Sequence, residues 1–347
     1  MLSKEYFKIP LDKFINFALY DPSQGYYMKR NPFGKKGDFV TAPNISKIFS
    51  EMLLVWMMSY WQKFYKNKKI NIVELGAGNG EMMHQIIITA KNFDKFYNSC
   101  NFIIHEKSKN LIRLQKLKLK KKNVKWIKNL SDLKSYPTLF FGNEFLDALP
   151  IKQFFKSNNI WYEKYIKKKG KVFSYSKKRS DIKKIEKKLN MKLSSDQNFL
   201  EISFELINIL KILNNVISRK GGCILFIDYS YLSKKMFDTL QTIKKHKRAD
   251  LLKEVGTSDI SHVINIPFLK KIAKKIDLNL DYKTQREFLL NLGILERAEN
   301  LASKVNFLEK ANIFYRINRL IDKKQMGELF KVIYLYKKNR KFNLGFK

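Results

Sequence analysis

Three glycines at alternate positions, Gly76, Gly78 and Gly80, come after a short apolar run and an acid, Ile70-Asn71-Ile72-Val73-Glu74. Residues 81–88 behind them read as a helix. A strand, a tight glycine turn and a helix are the opening of a doubly wound α/β sheet. Glycine lacks Cβ, so the turn can take positive φ and a ligand can approach the backbone. The helix start adds unpaired N–H groups and a partial positive charge. The dinucleotide fingerprint, G-x-G-x-x-G, needs its third glycine one residue later, where this chain has Glu81. A glutamate there is too bulky for close helix–strand packing and repels a pyrophosphate.

The spacing therefore suits a nucleoside ligand without phosphate. S-adenosylmethionine (SAM) is one, with Glu74 placed to face its ammonium group. The bland alternative is an ordinary strand-to-helix turn. The next strand, Phe102-Ile103-Ile104-His105-Glu106, ends in an acid. A carboxylate at that point can accept hydrogen bonds from both ribose hydroxyls, which gives Glu106 a role. His105 is expected to face the other way.

Residues 138–150 carry the second informative stretch. An apolar strand runs straight into Asn143-Glu144-Phe145-Leu146-Asp147-Ala148-Leu149-Pro150. The carboxyl ends of parallel strands line the active crevice. Two carboxylates and an amide placed there are costly to bury unpaired and suit a cationic substrate. The structural alternative for Asp147 is a helix cap. A further apolar strand, 221–229, ends in Asp228-Tyr229.

Before the glycine turn, residues 10–20 read as an amphipathic helix. Residues 34–43 form a loop in which Asp38 and Thr41 stand beside apolar neighbours, as in a ligand-covering segment or a plain surface loop. Residues 46–65 form a helix whose apolar positions include Phe49, Met52, Val55, Trp56 and Tyr60. From 151 to 198 the pattern changes to alternating strands and a lysine-rich helix, an inserted β-rich lobe. Residues 199–219 read as a helix and 330–335 as a last strand. Asp259 and His262 look like a buried hydrogen-bonded pair, with a catalytic dyad as the alternative.

Composition excludes some classes. With 347 residues and 45% hydrophobic content the chain can bury a large core. Its two cysteines, Cys100 and Cys223, and four histidines show neither disulfide nor metal spacing. The longest apolar run, 52–58, is too short to span a bilayer, and the first residues have no signal-peptide core, so a soluble chain is expected. The formal net charge is +38. Such an excess attracts RNA or anionic membranes. Arginine is scarce and no basic–aromatic stacking motif is present. We read the lysines as compositional, which leaves nucleic acid open as a partner.

Several stretches together resemble the MidA family. They are Gly37-Asp38-Phe39-Val40-Thr41-Ala42-Pro43, Glu74-Leu75-Gly76-Ala77-Gly78, residues 143–150, Ile227-Asp228-Tyr229, 257–263, 284–298 and 326–331. They occur in the family's order from about residue 11 to 336. Asn44 stands where the family has Glu, and Ile264-Asn265 replaces its Asp-Phe.

The resemblance implies a Rossmann-like class I SAM-dependent methyltransferase sheet with helices on both faces, an N-terminal helical extension and an inserted β-rich lobe. The units would be 1–66, an extension covering the cofactor; 67–150, the first half of the core; 151–198, the lobe; and 199–347, the second half. The implied activity is arginine N-methylation of a protein, with a respiratory complex I subunit as target. RNA methylation and a non-catalytic assembly scaffold are the alternatives. Catalysis would fall to Glu144, Asp147 and Asn143. Cofactor binding would fall to Glu74, Gly76, Ala77, Gly78, Gly80, Glu106, Asp38 and Thr41. The absence of a transit peptide before the first motif implies a bacterial, cytoplasmic protein; a eukaryotic one would be mitochondrial. A homodimer is left open.

Overall fold

The computed structural model describes residues 6–29, 32, 41–120 and 122–347. The chain opens with β1 (Tyr6–Pro10), α1 (Leu11–Tyr20), α2 (Tyr26–Lys29), α3 (Ala42–Ile45) and the long α4 (Lys47–Tyr65). An alternating series comes next: β2 (Ile70–Leu75), α5 (Glu81–Ala90), α6 (Asp94–Tyr97), β3 (Cys100–His105), α7 (Lys109–Lys118), β4 (Val124–Ile127) and β5 (Thr138–Asn143). The lobe comprises β6 (Lys152–Ser157), β7 (Ile160–Lys169), β8 (Val172–Arg179), α8 (Ile182–Leu189) and β9 (Phe199–Ile202). The series resumes with α9 (Phe204–Lys220) and β10 (Gly222–Tyr231). Beyond it lie β11 (Gln241–Lys244), β12 (Lys247–Arg248), β13 (Asp259–Ser261), β14 (Ile264–Asn265), α10 (Ile266–Lys275) and β15 (Asn279–Thr284). Helices α11 (Gln285–Asn291), α12 (Ile294–Ala302), α13 (Phe307–Ile321) and α14 (Met326–Leu329) precede β16 (Phe330–Tyr336).

The main sheet has the order β15-β16-β10-β5-β2-β3-β4, with β14 beside β10. Strands β4, β3, β2, β5 and β10 run parallel, and β16 is inserted antiparallel between β10 and β15. From β2 the chain winds outward to β4, then returns to β5 and winds the other way. The reversal opens a crevice at the carboxyl ends of β2 and β5. All six residues of β2 are buried, because helices cover both faces. Ile70 and Ile72 join the core beneath α4, α5, α11 and α13, while Val73 and Leu75 join the core beneath α9 and α10.

Helix α4 is enclosed more fully than its periodicity predicts. Trp56 stacks on Tyr60 at 5.5 Å, meets Tyr334 and Phe342 edge-on, and donates from Nε1 to the Leu344 carbonyl at 3.0 Å. The C-terminal residues thus wrap the helix. Glu51 is buried there, paired to Arg297 Nε at 2.8 Å, while Val55, assigned to the apolar face by spacing, is exposed.

The lobe differs from expectation at both ends. Strand β1 pairs with the distal half of β7, along the edge on which β6 pairs with the proximal half. The first unit therefore lends a strand to a lobe that sequence began at 151. The predicted helix 199–219 starts as β9, which pairs with β6, and Ser203 then caps α9 through the Leu206 N–H at 3.1 Å. The lobe so extends past 198 to Ile202. Strand β15 alternates Leu280 and Tyr282 with polar residues, a short signal beside the helices that follow it, whereas the strands of the small β11–β13 sheet are too short to show a period. Among the described residues no helix is long and apolar enough to cross a membrane.

Candidate active site

The crevice is a cavity of about 620 Å³. Its floor is the turn after β2. Gly76 and Gly78 adopt φ of +65° and +52°, which is left-handed backbone. A Cβ on Gly76 would sit 2.7 Å from Cδ2 of Phe145, whose ring stacks on Phe226. Gly76→Ala should therefore lower affinity for SAM at least about tenfold and stability by about 1–2 kcal/mol, because both the αL position and the ring contact oppose a methyl group. Isothermal titration and thermal melting read the two effects. Gly80 does not line the cavity. At φ +78° it starts α5 and backs onto Gln115.

Glu74, Gly76, Ala77, Gly78, Glu106, Thr41, Asn143, Glu144 and Asp147 all line this one cavity. Asp38 lies outside the described residues. Glu74 is 2% exposed, and its Oε2 has no hydrogen-bond partner among the described residues. Burial, then the charge of Glu106, push its carboxyl up to about 8. A buried carboxyl with one oxygen on the Met83 N–H and the other unpartnered, beside side-chain-free backbone, fits a ligand with an ammonium group and no phosphate. Glu106 is fixed by the Ser108 N–H at 3.0 Å and by Gln115 Nε2 at 3.2 Å, and burial raises its pKa. The residues present thus fit SAM, whose sulfonium supplies an already activated methyl group.

The second wall is the turn after β5. Glu144 has φ +53°, a left-handed conformation that costs a non-glycine residue about 1–2 kcal/mol. Strand pairing holds it, through Glu144 N–H to the Ile227 carbonyl at 2.9 Å. Asp228 holds the three residues beyond it. Its Oδ2 accepts from the N–H groups of Phe145, Leu146 and Asp147 at 3.1, 2.7 and 3.3 Å, and its Oδ1 from Tyr229 N–H at 2.9 Å. Asp147 therefore caps no helix; it stands in a turn folded around a buried carboxyl. The Glu144 side chain accepts from Asn143 Nδ2 at 2.8 Å and from the Ala42 N–H. Burial, then the neighbouring Asp228, push Glu144 up to about 8, and the same two causes raise Asp147.

Other residues reach the cavity from distant parts of the chain. Tyr27 donates from its hydroxyl to Asp259 Oδ1 at 2.6 Å, and its carbonyl accepts from Ser108 Oγ at 2.7 Å. Tyr20 stacks on Tyr27 at 5.6 Å. Asn44 Oδ1 accepts from Asn79 Nδ2 at 3.1 Å, so the residue that departs from the MidA pattern ties α3 to the glycine turn. Gln115 joins the Gly78 carbonyl at 2.9 Å to Glu106, with its own Oε1 held by Trp126. One signal for it existed: a glutamine four residues after Leu111 on the buried stripe of α7. Ser108, too, is legible as the N-cap of α7, accepting from Leu111 N–H at 3.2 Å.

His105 and Glu106 both border the cavity; the His105 carbonyl accepts from the Gly76 N–H at 3.0 Å, and the histidine Nδ1 lies 3.2 Å from the Ile127 carbonyl. One expectation needs correction. Asp259 and His262 face different spaces. Asp259 lines the main cavity, whereas His262 lines a separate small one with its Nε2 lacking a partner among the described residues. Burial pushes His262 down to about 4, so its ring is neutral, and its backbone N–H donates to the Asp147 carbonyl at 3.1 Å.

Comparison with known proteins agrees with this geometry. Residues 52–284 match the family Methyltransf_28, described as "Putative S-adenosyl-L-methionine-dependent methyltransferase". The chain is similar to the protein named protein arginine methyltransferase NDUFAF7, mitochondrial, of Xenopus tropicalis, 28% identical over 93% of this chain and 81% of that one. The human protein of the same name is 26% identical over 93% and 78%. A Burkholderia thailandensis crystal structure bound to S-adenosyl-homocysteine shares the fold, with a TM-score of 0.82 at 21% identity over 97% of this chain and 90% of that one. With the family model spanning most of its length, this chain belongs to the Methyltransf_28 family of S-adenosyl-L-methionine-dependent methyltransferases.

Proposed function

We propose that the chain methylates a side-chain nitrogen of arginine in a protein. The observation that carries this is the charge inside the cavity. In a chain of net +38, the walls hold Glu74, Glu106, Glu144, Asp147 and Asp259. A guanidinium is cationic, planar and delocalised, so two carboxylates can hold it and concentrate its charge away from the attacking nitrogen. That nitrogen takes the methyl group, the carbon–sulfur bond breaks toward sulfur, and one proton leaves the guanidinium. Glu144 and Asp147, with Asn143 beside them, are the groups we assign to holding the guanidinium and receiving that proton. Glu74, the glycine turn and Glu106 hold the cofactor. Thr41 belongs to the covering segment. The relatives named protein arginine methyltransferases support the same choice. The MidA resemblance adds a respiratory complex I subunit as the target class. Nucleic acid fits less well, because carboxylate walls repel phosphates.

The test is incubation with radiolabelled SAM and cell lysate, then acid hydrolysis of the labelled band. Label recovered as methylarginine supports the proposal. Label in RNA, or no label with the cofactor bound, overturns it.

The raised carboxyls set a pH signature. Glu74 sits at about 8 in the free protein, so at pH 7 it is mostly protonated. Binding an ammonium group favours its ionised form and expels the proton. We expect titration with SAM to release most of one proton at pH 7; at about pH 9.5 Glu74 is already ionised and the ligand's α-amine, with an ordinary pKa of about 8, has to gain a proton to bind as an ammonium, so release should give way to uptake, read by calorimetry in two buffers of different ionisation enthalpy. Glu74→Gln should abolish the release. Stability of the free protein should move the other way from cofactor affinity. A carboxyl raised from 4.5 to about 8 favours the folded state below its unfolded value, and that advantage is lost as pH climbs through 8.

A further inference from the structure

The cofactor assigned to this cavity is a zwitterion, and its carboxylate has to be placed among acidic walls. We propose that Arg319 receives it, a proposal that rests on the cofactor reading above. Two long-chain cations line the cavity among the described residues, Lys107 and Arg319. Lys107 is already engaged. It pairs with Glu205, lies 5.3 Å from the centre of the Tyr20 ring, and adjoins Glu106 at the ribose end. Arg319 is half-buried, and its guanidinium makes no hydrogen bond or ion pair with any described residue.

Its position selects the other end of the cavity. Arg319 lies on α13, one turn beyond Arg316, so the two share a helix face. Arg316 Nη1 donates to the Ile45 carbonyl of α3 at 3.4 Å. Asn44 of α3 is in turn bonded to Asn79 of the glycine turn. This face of α13 therefore lies over the glycine-turn end, where Glu74 has its unpaired oxygen. An ammonium on Glu74 and a carboxylate on Arg319 together account for both charges of an α-amino acid. The guanidinium fork matches a carboxylate in two parallel hydrogen bonds, which a lysine does not reproduce.

The experiment compares SAM with its decarboxylated analogue, titrated into wild type, Arg319→Ala and Arg319→Lys, with melting curves of the free proteins as a folding control. Wild type should prefer SAM. Arg319→Ala should lose about 10- to 100-fold in affinity for SAM, the range of a charge-assisted hydrogen bond, and nothing for the analogue. Arg319→Lys should recover part of the loss. Equal SAM affinity in wild type and Arg319→Ala overturns the proposal, as does an equal loss for both ligands. If wild type binds neither ligand, the cofactor reading falls as well.

Discussion

Glu144→Gln is expected to lower kcat by about 10²- to 10⁴-fold while leaving SAM affinity within a factor of a few, since removing a positioned proton acceptor or charge stabiliser costs that much. The change is isosteric. A glutamine oxygen can still accept from Asn143 Nδ2 and the Ala42 N–H, so the strained turn at φ +53° keeps its supports. On the roles we propose, the negative charge facing the guanidinium disappears, while the cofactor is held elsewhere, by Glu74 and the glycine turn, so its binding should persist. Single-turnover methylation of an arginine peptide, with calorimetry of SAM binding in parallel, separates the two effects. Unchanged turnover would remove Glu144 from the mechanism.

Asp228→Ala should destabilise the protein by about 3–6 kcal/mol, a fall in Tm of roughly 4–8 °C for a chain this size. Its fully buried carboxyl is the acceptor for four backbone N–H groups. Removing it strands donors that water cannot reach, at about 1–3 kcal/mol each before relaxation. The turn carrying Glu144 and Asp147 should then loosen, and turnover should fall with stability. Asp228→Asn separates the two roles of this residue. It keeps one acceptor oxygen, so the loss of stability should be smaller. It also removes the charge that, after burial, does most to raise Glu144 and Asp147. The pH–rate profile should then move toward lower pH. A profile that stays in place would show that Asp228 acts on the turn's shape alone.

Most of the scaffold is legible in the sequence because its signals are local. The run into Glu74 and the alternate glycines identify β2 and its turn, since each residue there answers to backbone geometry a few positions away. The acid after β3 and the Asn143–Asp147 stretch after β5 lie at strand ends that parallel winding brings to one rim. Sequence and structure part where local pattern is ambiguous. Phe199-Leu200-Glu201-Ile202, just before Ser203, serves equally as a helix start or a strand, and pairing with β6 decides for β9.

The sequence by itself determined the sheet, the glycine turn and the acids at its rim, because backbone conformation and burial period are written into neighbouring residues. Only the tertiary structure decided that Tyr27 meets Asp259 across 232 positions, that Asp228 folds the Glu144 turn around itself, and that Arg319 lines the same cavity. Those meetings depend on how helices far apart in the chain pack over one crevice, and no spacing in the sequence encodes a distance through space.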